Sequence, residues 1–65
     1  MKYKVTTLRT DGTRGCGTFE SLHFAEKFFA SRMNSNFVSI ILWEGEKPIR
    51  YAESIGLKWG VIDIK

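Results

Sequence analysis

The stretch Phe37-Val38-Ser39-Ile40-Ile41-Leu42-Trp43 reads as a β-strand that is apolar on both faces. A strand buried on one side only alternates apolar and polar residues. Here Val38, Ile40 and Leu42 point one way, and Phe37, Ile41 and Trp43 point the other. The chain offers one convincing helix to cover a sheet, so the second apolar face needs another cover. Either the C-terminal tail or a binding partner supplies it.

Upstream of this strand, residues 2–9 and 13–19 read as a hairpin around Thr10-Asp11-Gly12. Asp-Gly between strand-like runs is a strong turn signal. A two-residue turn would set Lys4 opposite Phe19 and mix polar with apolar on both faces. A three-residue loop, with Gly12 left-handed, sets Tyr3 opposite Phe19 and Val5 opposite Gly17. That register gives a coherent inner face of Tyr3, Val5 and Phe19, with Gly15 and Gly17 leaving room for a helix. It places Leu8 and Cys16 on the outer face without explaining them.

A helix follows, over about Ser21 to Asn34. Ser21 suits the N-cap, and the Asn34-Ser35-Asn36 cluster suits a stop. Leu22, Phe24, Ala25, Phe28, Phe29 and Met33 fall on one half of the helical wheel, interrupted by Arg32. This wide apolar arc is what covering a sheet requires, and it assigns Phe24 and Phe28 to the core.

Downstream, residues 37–44 and 47–53 form a second hairpin through Gly45-Glu46, with Glu44 opposite Lys47. An unbroken register sets Leu42 opposite Ile49 and Ile40 opposite Tyr51. The inner face is then Val38, Ile40, Leu42, Ile49 and Tyr51, and the outer face carries Phe37, Ser39, Ile41, Trp43, Arg50 and Ala52. Pro48 cannot donate to a ladder and marks a strand start or an edge. The tail from Leu57 to Lys65, with Trp59-Gly60-Val61-Ile62-Asp63-Ile64, is rich in β-branched residues and reads as a short fifth strand or an extended segment. The expected fold is α+β: a two-layer sandwich in β-β-α-β-β order, with an antiparallel sheet of four to five strands and one amphipathic helix on one face.

The chain has 65 residues and reads as a single small domain spanning 1–65. A chain this short buries roughly 60% of its unfolded surface. Cys16 is the only cysteine, so no disulfide within the chain and no Cys/His metal cluster is available to staple it. Five Phe, two Tyr and two Trp supply large area per residue instead. The N-terminus lacks the apolar core of a signal peptide, and no apolar run reaches the roughly 18 residues of a membrane span. A cytoplasmic setting without membrane contact is expected.

Catalysis needs a nucleophile beside a base, paired carboxylates in a cleft, or a metal set. His23, the single histidine, falls on the polar side of the helix, and Cys16 lacks a partner that would lower its pKa. Glu44 and Glu46 flank a turn and diverge. The expectation is a non-enzymatic protein with no cofactor, no metal and no small-molecule substrate.

Two surfaces compete for a binding role. The first is the aromatic sheet face, with Phe37, Ile41, Trp43 and Arg50 as anchors for a protein partner or a second copy, because Trp, Phe and Arg are enriched at interface hot spots. The alternative is nucleic-acid binding through the N-terminal hairpin. The net charge is +3, and the excess lies in residues 1–19, where Lys2, Lys4, Arg9 and Arg14 stand against Asp11 alone. Such a ribbon can contact phosphates.

Residues 2–33, with Phe19-Glu20-Ser21 leading into a helix containing Ala25 and Phe29, loosely resemble the arm-site DNA-binding domains of tyrosine recombinases. The likeness covers half the chain and departs at the first element, three strands there against two here, so no family is assigned. The small size and lack of a catalytic set also resemble phage-encoded accessory proteins that bind and redirect a host protein.

Overall fold

A computed structural model describes residues 2–56 and 58–64. Met1 and the ends of the expected tail, Leu57 and Lys65, lie outside the described residues. The elements are β1 (Tyr3–Arg9), β2 (Arg14–Phe19), α1 (Leu22–Ser31), β3 (Phe37–Glu44), β4 (Lys47–Ile55) and β5 (Lys58–Asp63). The strands form one antiparallel sheet in the order β2-β1-β3-β4-β5. The chain is therefore α+β, a five-stranded antiparallel sheet with one helix.

The first hairpin takes the three-residue register. Tyr3 faces Phe19 and Val5 faces Gly17, and Gly12 sits at φ +90°, where a side chain would be strained. Asp11 fixes the loop by accepting from the Thr13 hydroxyl at 2.7 Å and the Thr13 N–H at 3.0 Å. Those two bonds hold its carboxyl below the usual value of 3.8.

Ser21 caps α1 by accepting from the His23 N–H at 3.2 Å. The helix stops at Ser31, three residues before the expected end. The Arg32 N–H turns to Phe29 O and the Met33 N–H to Ala30 O, three residues back, which tightens and closes the last turn. Ala25 and Phe29 enter the core with Tyr3, Val5, Ile40, Leu42 and Ala52, and Phe19, Phe28 and Met33 pack around them. At Gly17 a Cβ would lie 3.1–3.4 Å from the rings of Phe19 and Phe28; its absence lets the helix settle on β2. Phe24, expected in the core, is 60% exposed, because the helix turns only its Ala25–Phe29 line squarely onto the sheet.

Two bulges rewrite the faces of β3 and β4. Between Leu8 and Arg9 the register skips Val38, so Arg9 pairs with Phe37. Phe37 thereby shifts to the side of Tyr3, Val5 and Thr7 and is buried there, with the Arg9 guanidinium 5.4 Å from its ring centroid. Val38, expected inside, is left exposed. In β4, Glu44 faces Lys47, but the register then skips Ile49, and Leu42 faces Arg50 while Ile40 faces Ala52. A one-residue slip exchanges every later side chain between faces. Ala52 and Arg50 are consequently on the helix side, and Tyr51 is on the opposite side.

Arg50 is neutralised where it lies. Its guanidinium donates to Glu26 Oε2 of α1 at 2.9 Å and to Asp63 Oδ1 of β5 at 2.7 Å. These two partners, Asp63 first, raise its pKa above the usual guanidinium value. The described tail is a strand that does not cross the face opposite the helix: β5 extends the sheet beyond β4, with Trp59 packed against the core on the helix side.

Candidate functional site

The face opposite the helix is built from alternate residues of all five strands. Pairing aligns them in rows across the sheet. The middle row is Cys16, Thr6, Ile41, Tyr51 and Ile62; on one side of it run Thr18, Lys4, Trp43 and Pro48, and on the other Arg14, Leu8, Ser39, Glu53 and Gly60. Among the described residues no segment crosses over these rows. Leu8 and Cys16, which the hairpin alone could not explain, stand here beside Ile41.

A groove of about 580 Å³ opens on this face, lined among others by Thr6, Leu8, Arg14, Cys16, Ile41 and Trp43. Its volume falls within the range of roughly 300–1,000 Å³ usual for ligand pockets. Trp43 is fixed from two sides: its indole N–H donates to Thr6 Oγ1 at 2.9 Å, and the Lys4 ammonium lies 4.9 Å from its ring centroid. The polar atom of the largest lining residue is thus satisfied, and the rest of its ring is apolar. The Tyr51 hydroxyl donates to Glu53 Oε2 at 2.8 Å. That bond, then burial and the carboxylate charge, push the phenol above its ordinary 10.0.

Of the four anchors expected from sequence, Ile41 and Trp43 share this face. Phe37 and Arg50 lie on the other, moved by the two bulges. Tyr51, Leu8 and the exposed Ile62 belong to the face instead. Only Leu8 had a visible signal, as an apolar residue stranded on the outer side of the first hairpin.

The basic hairpin does not present one surface. Lys4 and Arg14 sit in the rows on either side of the Cys16–Ile62 row, whereas Arg9 is on the opposite side against Phe37, and the Lys2 ammonium lies 5.5 Å from the Tyr3 ring centroid. Cys16 is exposed as a free thiol. His23 is exposed too, in edge contact with Phe24 at 5.5 Å. No described helix is long and apolar enough to cross a membrane, and no three His, Cys, Asp or Glu side chains gather among the described residues.

The molecule so defined is a small α+β protein with one face of its sheet left open. No protein-family model, curated protein or solved structure matches the chain.

Proposed function

We propose that this protein is a non-enzymatic binding module that docks a protein partner through the open face of its sheet. In this reading the chain is a two-layer α+β domain on which the partner forms a third layer. The observation that supports it is the groove lined by Ile41 and Trp43, a preformed apolar depression with nothing from the described chain lying over it. Trp43 is held rigidly and loses little entropy on binding, which suits a hot-spot role. Lys4 and Arg14 flank the Cys16–Ile62 row with positive charge, so the fitting partner carries a large apolar side chain with acidic neighbours.

Nucleic acid is the competing ligand, because the same two cations share a face with an aromatic side chain. It is disfavoured by the diversion of Arg9 to the other face and by the seat of Lys4 on Trp43. Peptide display on the immobilised protein tests the choice. Selected peptides should be apolar and acid-flanked, and should lose binding to a folded Ile41→Lys variant. Peptides that bind that variant equally well overturn the proposal. Salt-sensitive binding of a single-stranded oligonucleotide, lost in Lys4→Ala and Arg14→Ala, replaces it with the nucleic-acid reading.

A further inference from the structure

The two edges of the sheet differ in kind. The β2 edge is Arg14-Gly15-Cys16-Gly17-Thr18-Phe19, and its two glycines weaken further pairing. The β5 edge is Lys58-Trp59-Gly60-Val61-Ile62-Asp63, with no proline and with charge only at its ends. Ile55 at the end of β4, Val61 and Ile62 on β5, and Ile64 just beyond it are four of the seven exposed large hydrophobic residues among the described residues. An exposed apolar edge is a template for another strand. We propose that β5 pairs with β5 of a second copy, giving a two-fold dimer with a continuous ten-stranded sheet.

The backbone selects the register. The Ile64 N–H donates to Ile49 O across to β4, so by alternation Ile62, Gly60 and Lys58 also turn their main-chain groups to β4. Trp59, Val61 and Asp63 turn theirs outward. These three are symmetric about Val61, so a two-fold axis there sets Val61 against Val61 of the other copy and Trp59 against Asp63. Each facing pair exchanges two main-chain hydrogen bonds.

The same register sets Ile62 opposite Gly60 on the open side, a large residue over one with no side chain. The Ile55 Cδ1 already lies 3.3 Å from where a Gly60 Cβ would be, so the incoming Ile62 meets an apolar neighbour. Ile64 falls opposite Lys58, whose aliphatic stem can cover it. Because pairing at the β2 edge is weakened, assembly closes at two copies rather than continuing as a fibre.

Sedimentation equilibrium of the full chain tests this, independently of what the open face binds. The wild type is expected at twice the 7.5 kDa of one chain. Val61→Pro removes an outward donor without touching the ladder to β4 and should give a folded monomer. Ile41→Lys, on the open face, should stay dimeric. In a Cys16→Ser background, Val61→Cys should cross-link to itself under mild oxidation, since facing Cα atoms about 5.5 Å apart suit a disulfide. A wild type monomeric at millimolar concentration overturns the proposal. So does a dimer that survives Val61→Pro or is broken by Ile41→Lys, and so does failure of the cross-link.

Discussion

Arg50 and Trp43 show how much one residue's position decides. Arg50 ties α1, β4 and β5 together through Glu26 and Asp63, with all three side chains partly exposed. Exposed pairs contribute roughly 0.2–1 kcal/mol each and the packed stem adds to them. Arg50→Ala should therefore lower stability by about 1–2 kcal/mol, read as an earlier denaturant midpoint, and leave binding at the open face intact. Trp43→Ala should do the reverse, abolishing binding while the domain stays folded in circular dichroism. Tyr51 supplies a pH signature. Its neutral phenol is favoured in the fold, so that contribution is full below pH 10.0 and is lost as pH rises through the higher folded value. The stability gap between wild type and Tyr51→Phe should close across that alkaline range. None of Arg50's partners is near it in sequence. For that reason an alternation that buries Tyr51 and exposes Arg50 looks better from the residues alone.

At the scale of elements, the helix separates core from surface within a turn and a half. Phe29 is almost fully buried and Phe24 is 60% exposed. Phe29→Ala should cost roughly 3–5 kcal/mol, which for a domain this small is close to its whole stability. Phe24→Ala should change it by less than about 0.5 kcal/mol. Ser21→Ala removes the cap and should cost about 1 kcal/mol. Thermal melts of the three variants check this order. The first hairpin, the helix start, the Gly45-Glu46 turn and the fifth strand were legible in the sequence because each is set by neighbours: Asp11 with Thr13, Ser21 with His23, a turn dipeptide, a β-branched run. The bulges at Val38 and Ile49 were not. The first accommodates an extra residue against β1, distant in the chain. The second interrupts the local β3–β4 hairpin, where an unbroken register gives an equally regular alternation. Each moved one expected anchor off the open face. The site was legible only as far as the regular pairing ran, which left Ile41 and Trp43.

At the scale of the whole molecule, the sheet divides in a simple way. Every strand on one side of the β1–β3 boundary precedes the helix, and every strand on the other side follows it. Within each half, neighbouring strands are also neighbours in sequence, so among the described strands β1–β3 is the one long-range pairing, spanned for instance by the Trp43–Thr6 hydrogen bond between residues 37 apart. Closing it carries the loop entropy of the fold. Val5, fully buried in this pairing opposite Leu42, should slow folding when changed to Ala, whereas Val61→Ala on β5 should not; stopped-flow refolding distinguishes them. The same division has a practical consequence. A break in the polypeptide between Asn34 and Asn36 would sever no strand and no helix, leaving one piece with β1, β2 and α1 and another with β3, β4 and β5. Co-expressed, such pieces are expected to reassemble through the β1–β3 ladder, the core beneath α1 and the Glu26–Arg50 pair, and the chain becomes a small split reporter.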